Sequence, residues 1–319
     1  MLSEKVLVGM SGGVDSSVTA KLLLDKGYDI AGVTLLLCSN DNESSVLDAK
    51  SVCDKMGIKH YAVDLKKEFS SFVISDFIEE YKRGNTPNPC IVCNKTIKFG
   101  AMLEKALSMG FDKIATGHYA KIIKQDGRYL LYKADDESKD QSYVLYNLTQ
   151  HQLSHTLFPL GEITKTQVRE KAVAESFVNA DRPDSQDICF VPDGDYAGFI
   201  ERENSFVSAK GSYVDINGNI LGEHKGIINY TLGQRKGLGI ALGKPAFVID
   251  KSAETNLVVL GDEEHLFKKE VIVDRLNFIP FDSLENEMRV TVKLRYRHKA
   301  ANAVIVPIEN DKVKIIFDE

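Results

Sequence analysis

The sequence has little proline, no low-complexity stretch and no apolar run long enough to span a membrane. Only 8 of its 319 residues are proline and 43% are hydrophobic, which excludes a largely disordered chain. The first residues, MLSEKVLVGMSGG, lack the basic stretch, apolar core and small-residue cleavage site of a secretory signal. We therefore predict a folded, cytoplasmic protein with no membrane partner.

Cysteine is also scarce, and its number is odd. Five cysteines in a chain without an export signal argue against a disulfide framework and leave reactive or metal-binding roles open. The net charge of −6 argues against a protein that coats nucleic acid by charge alone. A local basic patch is compatible with that total, because phosphate affinity depends on the patch.

Short apolar runs alternate with helical periodicity in the first half of the chain. The predicted strands lie at 4–9, 29–37, 59–65 and 113–116, and the predicted helices lie at 16–26 and 43–56, with two more that end near 82 and 109. This alternation indicates an α/β fold, a doubly wound parallel sheet covered on both faces. Later short strands and glycine turns indicate small β-rich domains. We place the domains at 1–204, 205–267 and 268–319, the last a β-barrel.

A glycine-serine segment follows the first predicted strand and opens the first predicted helix. It reads Ser11-Gly12-Gly13-Val14-Asp15-Ser16-Ser17. Its glycines let the backbone approach an anion, its hydroxyls can donate to phosphate oxygens, and the helix N-terminus adds its positive end. This chemistry favours a pyrophosphate site, with Asp15 as a candidate Mg²⁺ ligand. The lysine of a Walker loop is absent, and a turn without any ligand is the alternative for the segment taken alone.

Two further strand ends lie at the same edge of the predicted sheet. Leu35 ends the second strand, where the doubly wound fold places adenine. Gly117 follows the fourth strand and would let a nucleotide approach closely. His118 either donates to substrate or fills a polar pocket.

Three cysteines carry the remaining candidate chemistry. Cys90 and Cys93 form a C-x-x-C that we predict to lie in a proline-bounded loop with both thiols exposed, and Cys189 follows at the far end of the α/β region. Because the thiolate is the reactive form, we expect cations near Cys93 and Cys189. The local candidates are Lys95, Lys98 and Arg182.

These motifs together resemble those of the tRNA-specific 2-thiouridylases, the MnmA/TrmU family. The matching segments, spread over nearly the whole chain, are GMSGGVDSSV, TPNP-x-x-x-CNK-x-IKFG, ATGHYA, KDQSYVLYNLTQ, LFPLGE, DSQDICF, NYTLGQRKGLGI and FDE. The resemblance implies a PP-loop ATP pyrophosphatase that adenylates the 2-oxygen of the wobble uridine and replaces it with sulfur. It also implies Cys93 as the nucleophile and Cys189 as the persulfide carrier.

The resemblance further implies cofactors, partners and binding residues. ATP and Mg²⁺ are the cofactors, tRNA is the substrate, and sulfur comes from a persulfide carrier protein, a cysteine desulfurase or sulfide. The implied ATP-binding residues are Gly9, Met10, Ser11, Gly12, Gly13, Val14, Asp15, Ser16, Leu35 and Gly117. The implied tRNA-binding residues are Asn88, Pro89, Cys90, His118, Lys139, Asp140, Gln141, Arg295 and Tyr296.

Cys90 departs from the family, since many members have aspartate at this position. Together with Cys93 and Cys189 it provides the three thiolates that a 4Fe-4S cluster needs when one iron stays open to sulfide. A zinc site would usually need a fourth protein ligand, and the sequence shows none nearby. A persulfide relay and a cluster-borne sulfide therefore both remain open.

A basic segment near the end of the chain is the candidate tRNA surface. Residues 289–299, RVTVKLRYRHK, are predicted to form one strand with five cations on one face. Arg295 and Tyr296 are expected to grip or stack on the anticodon loop. Family members continue past FDE with a Pro-Gly-Gln strand pair, so the terminal barrel is expected to be open here.

Two other function classes fit parts of the sequence. A different PP-loop enzyme that adenylates a metabolite explains residues 9–17 but gives no role to the cysteines or the basic segment. A non-catalytic RNA-binding protein with a structural metal site leaves the phosphate loop without a role.

Overall fold

The computed structural model describes residues 3–38, 43–183, 188–204 and 206–318. The strands of the described residues are β1 Lys5–Gly9, β2 Asp29–Leu36, β3 His60–Asp64, β4 Lys113–Ala115, β5 Ala120–Gln125, β6 Arg128–Lys133, β7 Thr156–Leu157, β8 Gly211–Val214, β9 Ile220–His224, β10 Phe247–Ser252, β11 Leu257–Gly261, β12 Glu270–Val273, β13 Met288–Val292, β14 Ala301–Ile308 and β15 Lys312–Phe317.

The helices lie mostly in the first two hundred residues. They are α1 Val14–Asp25, α2 Glu43–Met56, α3 Lys66–Phe69, α4 Ser75–Lys82, α5 Pro89–Cys93, α6 Met102–Ser108, α7 Gln150–Ser154, α8 Lys165–Ala174 and α9 Tyr196–Asn204. Wider π-helical turns at Ser70–Ile74 and Asn94–Ala101 join α3 to α4 and α5 to α6. None of the helices in the described ranges is long and apolar enough to cross a membrane.

A five-stranded sheet in the order β3-β2-β1-β4-β7 forms the first unit, and all of its described pairs are parallel. The chain moves outward from β1 to β2 and β3, then returns to the other side of β1 at β4. That reversal creates the crevice in which doubly wound sheets bind ligands, at the carboxyl ends of β1 and β4. The predicted doubly wound parallel sheet is confirmed.

The central strand β1 divides the apolar side chains between two cores. Val6 and Val8 belong to the core under α1 and α2, while Leu7 belongs to the core on the opposite face, with Phe99 and Met102. All five side chains are at most 1% exposed. Full burial of such a side chain contributes about 1.5–3 kcal/mol. The apolar cores on both faces therefore stabilise the sheet and hold the crevice in place.

Two small sheets follow, as the glycine-rich second half predicted. The first has the order β10-β11-β8-β9, and its core also contains Phe77 and Tyr81 of α4. The second is antiparallel in the order β12-β15-β14-β13 and stays open between β12 and β13 in the described residues. A hairpin of β5 and β6 extends from the first unit.

The basic segment does not form the single strand that its alternation predicted. β13 ends at Val292, and the residues that follow form a turn in which the N–H of His298 donates to the carbonyl oxygen of Arg295 at 3.0 Å. The prediction was wrong because Tyr296 packs on Tyr143 of the first unit, with ring centroids 5.9 Å apart. A contact with a distant part of the chain overrides the local alternation.

Candidate active site

The phosphate loop lies between β1 and α1 and is closed by its own serines. The N–H of Ser11 donates to Ser16 Oγ at 3.2 Å, and the hydroxyls of Ser16 and Ser17 donate to the carbonyl oxygen of Gly13 at 2.9 and 3.1 Å. Gly12 has a φ of +73°, and a Cβ there would lie 2.5 Å from the carbonyl oxygen of Ser45. Glycine is therefore required at residue 12 for both the backbone angle and the space.

Two residues from far along the chain hold this loop. The amide of Asn179 donates to the carbonyl oxygen of Gly12 and to Ser17 Oγ, both at 2.9 Å. Arg182 donates to the same Gly12 carbonyl at 3.2 Å and pairs with Asp48 at 2.9 Å. Asn179 was not predicted, because the segment FVNADR carries no known motif. Arg182 was expected beside the cysteines, but its guanidinium lies at the loop.

Asp15, in the first turn of α1, is already bound to a cation of the protein. Lys165 Nζ lies 2.7 and 2.8 Å from the two carboxylate oxygens, and the hydroxyl of Tyr119 donates to Oδ1 at 2.8 Å. A Mg²⁺ ion at its usual distance of about 2.0–2.1 Å would compete with this ammonium for the same oxygens. Asp15 therefore does not fit the expected role of Mg²⁺ ligand in this arrangement. Lys165 is a second residue of the site that was not predicted from the sequence.

The carboxyl ends of the strands bring the other expected ATP residues to the loop. Gly9 ends β1, and the N–H of Met10 donates to the carbonyl oxygen of Val33 at 2.7 Å. A Cβ at Gly117 would lie 2.9 Å from the carbonyl carbon of Asp15, so this glycine lets the β4 end touch α1. The expected ATP residues thus meet at one edge of the sheet.

His118 is buried and held neutral. It is 8% exposed, and its Nδ1 forms a hydrogen bond of 2.7 Å with Thr116 Oγ1. Burial, and to a smaller extent the charge of Lys98, holds the pKa of His118 well below its usual value. Its ring contacts Phe99 and Phe158, so it fills a pocket behind the strand ends.

The C-x-x-C lies on a helix and not in the expected loop. Pro89 is the first residue of α5, and Asn88 caps the helix by accepting from the N–H of Cys90 at 3.1 Å. Cys90 is exposed, as predicted, but Cys93 is only 8% exposed. The prediction that both thiols are exposed was wrong, because one helical turn carries Cys93 inward.

The three cysteines expected at the site act on one another electrostatically. Burial raises the pKa of Cys93 to about 11; the charge of Lys98 lowers it, while Cys189 and Cys90 raise it further. Lys98 is thus the one expected cation whose effect on Cys93 appears in the described structure. At neutral pH the buried sulfur is a thiol, because the charge of Lys98 favours the thiolate but does not outweigh burial.

Phe190 anchors the exposed Cys189 beside this group. Its ring lies 5.6 Å from that of Phe69 and 5.3 Å from that of Phe77, both edge-on. Phe190 also packs against the apolar cluster that contains Cys93. Residues 184–187 of the motif DSQDICF lie outside the described residues.

The cysteines do not form a tight site for a single metal ion. Among the described residues, three ligand atoms of His, Cys, Asp or Glu lie within 4.8 Å of one another at Asp262, Glu264 and His265, and not at the cysteines. The three thiols offer the donor type of an iron-sulfur cluster.

Some of the expected tRNA residues lie where the last domain meets the first, whereas Asn88, Pro89 and Cys90 begin α5 and His118 is buried. The hydroxyl of Tyr296 donates to the carbonyl oxygen of Asp140 at 3.2 Å, and Lys293 Nζ lies 5.3 Å from the Tyr296 ring. Gln141 exchanges backbone and side-chain hydrogen bonds with Tyr119, which also contacts Asp15. The loop from Lys139 to Gln141 therefore connects Tyr296 of the basic segment with Tyr119, which contacts Asp15 of the phosphate loop.

Three family models match the chain. They are described as the tRNA methyl transferase HUP domain, over residues 4–193, the tRNA methyl transferase PRC-barrel domain, over 198–262, and the Aminomethyltransferase beta-barrel domain, over 268–319. The glycine-serine loop and all three cysteines lie inside the first match.

Curated relatives match over the full chain. A protein of Acetivibrio thermocellus named tRNA-specific 2-thiouridylase MnmA is 52% identical, covering 100% of this chain and 92% of the relative. One of the same name from Clostridioides difficile is 50% identical, covering 100% and 91%. The solved U34-tRNA thiolase NcsA of Methanococcus maripaludis with its 4Fe-4S cluster is 18% identical, and the match covers 63% of this chain and 67% of that one with a TM-score of 0.40.

Proposed function

The chain belongs to the tRNA-specific 2-thiouridylase family, and from that premise we propose that it replaces the 2-oxygen of the wobble uridine of a tRNA with sulfur, driven by ATP. The observation that carries this proposal is that the expected nucleotide edge and the cysteine segment pack on the same apolar cluster. Leu35, from the expected adenine edge, packs on the cluster that contains Cys93, and Phe190, next to Cys189, packs on the same cluster. A nucleotide at the loop and a sulfur on the thiols would therefore act on one substrate atom.

The first step activates the uracil carbonyl. ATP lies with its phosphates on the 11–17 loop at the N-terminus of α1, where backbone N–H groups and the helix dipole favour anions. The uridine 2-oxygen attacks the α-phosphorus, the bond to the β-phosphate oxygen breaks, and pyrophosphate leaves. The former carbonyl oxygen now belongs to an AMP ester, which is a far better leaving group.

The second step delivers sulfur. Cys189 is exposed, so a donor can load it with a persulfide. The terminal persulfide sulfur attacks C2, and AMP leaves with the former 2-oxygen. The thiolate of Cys93 then attacks the Cys189 sulfur, which releases thiouridine and leaves a Cys93–Cys189 disulfide. A thiol reductant restores both cysteines.

The state of Cys93 controls when this attack occurs. Burial raises its pKa to about 11, so the resting sulfur is protonated and resists reaction with solvent oxidants. The charge of Lys98 favours the thiolate and also contributes to the low pKa of His118. The charge of Lys98 thus acts both on His118, which follows β4, and on the thiol of Cys93.

A cluster-borne sulfide is the alternative for the second step, and the third thiol at residue 90 is the observation that favours it. Cys90, Cys93 and Cys189 would hold the cluster, which would supply sulfide at its open iron. In that version the cysteines do not cycle through a disulfide. The two versions therefore differ in their need for iron and for a reductant.

The direct test supplies the protein with unmodified tRNA, ATP and sulfide or a persulfide donor, and analyses the nucleosides by mass spectrometry. We expect 2-thiouridine at the wobble position and one pyrophosphate for each uridine converted. A methylated nucleoside would instead support the activity in the description of the first family model, and ATP turnover independent of tRNA would support a metabolite synthetase.

Metal analysis of oxygen-free protein separates the two sulfur routes. Full thiolation by iron-free protein, with a Cys93–Cys189 disulfide formed when reductant is withheld, supports the persulfide relay. Activity that tracks iron content and is lost in Cys90→Ser supports the cluster.

A further inference from the structure

The phosphate loop contains no basic residue of its own. Its seven residues, 11–17, are glycine, serine, valine and aspartate. Arg182 approaches the loop, but its guanidinium donates to the Gly12 carbonyl and Ser45 Oγ and pairs with Asp48. Asp15 adds a negative charge at the place where a triphosphate has to bind. The loop therefore needs a cation from elsewhere in the chain.

Lys165 reaches the loop from the first helical position of α8. Thr164 caps that helix, and the N–H of Lys165 donates to Asp136 Oδ2 at 3.0 Å, which fixes the start of the side chain. The ammonium lies 2.7 and 2.8 Å from the two oxygens of Asp15, and 5.9 Å from the centroid of the Tyr119 ring. The Lys165 side chain is 10% exposed and that of Asp15 is 32% exposed, so the lysine is nearly covered by protein while the carboxylate is partly accessible.

We propose that Lys165 is the cation that binds the pyrophosphate portion of ATP in this loop, and that Asp15 positions Lys165 instead of binding Mg²⁺. Removal of a lysine from water is unfavourable, and an apolar pair could fill the same space at less cost. The pair lies at the mouth of an anion-binding loop, where a positioned ammonium has a ligand to act on. It supplies the charge that a Walker loop takes from its own lysine.

The ion pair also explains why Asp15 does not fit a metal. Lys165 already occupies both carboxylate oxygens, and Tyr119 donates to one of them. A dication bound there would sit against the ammonium. When a phosphate arrives, the ammonium is shared between Asp15 and the phosphate oxygens, and Asp15 keeps it directed at the loop.

The inference rests on the proposed use of ATP, so its test uses a ligand that needs only the loop. Binding of inorganic pyrophosphate is measured by calorimetry in a chelator, without divalent cations. We expect Lys165→Gln to weaken pyrophosphate binding by about ten- to a hundredfold, the range for a lost charge-assisted hydrogen bond. Lys171→Gln is the matched control, because Lys171 lies on the same helix and pairs with Asp25 at 3.1 Å, away from the loop.

A double variant separates phosphate binding from simple neutralisation of Asp15. If Lys165 contacts the phosphate, Asp15→Asn with Lys165→Gln binds pyrophosphate clearly more weakly than Asp15→Asn alone, which loses only the positioning of the ammonium. If Lys165 only cancels the charge of Asp15, the double variant binds like the wild type, and the inference is wrong. Binding of adenosine, which has no phosphate, checks that each variant is folded.

Two further results would overturn the inference. Wild-type affinity in Lys165→Gln would overturn it and leave the proposed function intact. A gain in ATP affinity on addition of Mg²⁺ that is lost in Asp15→Asn would return Asp15 to the role of metal ligand. If the wild type binds no pyrophosphate at all, both the inference and the proposed use of ATP are wrong.

Discussion

Asn179 holds Gly12 in place by donating a hydrogen bond from its Nδ2 to the glycine's carbonyl oxygen, 2.9 Å away. The same nitrogen lies 2.9 Å from Ser17 Oγ, and the asparagine is only 3% exposed. Its Oδ1 has no hydrogen-bond partner among the described residues. The shape of the phosphate loop thus depends on a residue that no loop motif includes.

Removal of this amide should loosen the loop. We predict that Asn179→Ala lowers the free energy of unfolding by about 1–3 kcal/mol, because Gly12 and Ser17 lose the buried amide donor and the Gly12 carbonyl keeps only the longer bond from Arg182. The affinity for pyrophosphate should fall by about tenfold. Denaturant unfolding and calorimetry measure the two effects. The control is Asn219→Ala, which removes an exposed amide bonded to Asp215; equal behaviour of the two variants would show that the loop holds its shape alone.

Gly12 and Gly57 offer a matched pair for backbone strain. Their φ angles are +73° and +69°, but a Cβ at Gly12 would lie 2.5 Å from the Ser45 carbonyl oxygen, whereas nothing lies within 4 Å of one at Gly57. We predict that Gly57→Ala costs about 1 kcal/mol of unfolding free energy from its left-handed angle alone. Gly12→Ala should cost clearly more and should abolish pyrophosphate binding. Similar unfolding midpoints for both variants would contradict the close approach of Ser45.

The cysteines should differ in reactivity. Near neutral pH we predict rapid alkylation of Cys90 and Cys189 by iodoacetamide and slow alkylation of Cys93, because burial raises the pKa of Cys93 to about 11. Mass spectrometry of digested protein measures the three rates, and protein unfolded in urea is the control in which they should become similar. Fast labelling of Cys93 in folded protein would contradict its burial.

The raised pKa also sets a pH dependence of stability. The folded pKa of Cys93 lies above its ordinary value of 9.0, so its contribution is complete below that pH and is lost as the pH rises toward about 11. Cys93→Ala should therefore lose less unfolding free energy than the wild type between these two pH values. A parallel loss in both proteins would show that Cys93 does not titrate with folding.

Tyr296 should contribute to tRNA binding without affecting the nucleotide. We predict that Tyr296→Ala weakens tRNA binding by about tenfold, through lost stacking and a displaced Lys293. Tyr132→Ala is the control, since the exposed fraction of both tyrosines is 41%. Filter binding at fixed salt measures tRNA, and calorimetry should show unchanged pyrophosphate affinity. Equal tRNA loss in the two variants would contradict a special role of Tyr296.

The sequence predicted the elements whose structure depends mainly on neighbouring residues. The short apolar runs between segments of helical periodicity located β1 to β4 to within one residue at each end. The two-residue strand β7 has no period that could reveal it. The phosphate loop from Ser11 to Ser17 was also predicted, because a glycine-rich loop at the start of a helix is typical of an anion-binding site.

Long-range contacts account for what the sequence did not reveal. Lys165 and Asn179 reach the loop from more than a hundred residues away, with intervals of 150 to Asp15 and 167 to Gly12. The turn after Val292 follows from packing on Tyr143 in another domain. The burial of Cys93 had a signal that the loop interpretation overlooked, because asparagine followed by proline at Asn88-Pro89 is a helix start.

The fate of the uridine 2-oxygen tests the central claim most directly. Unmodified tRNA that carries a heavy oxygen isotope at the uracil 2-position is incubated with the protein, ATP and a sulfur donor. The mass of the released AMP is then measured by mass spectrometry. The account predicts one labelled oxygen in the AMP for each thiouridine formed, because AMP leaves with the atom that sulfur replaces. Thiouridine formed together with unlabelled AMP would contradict the account.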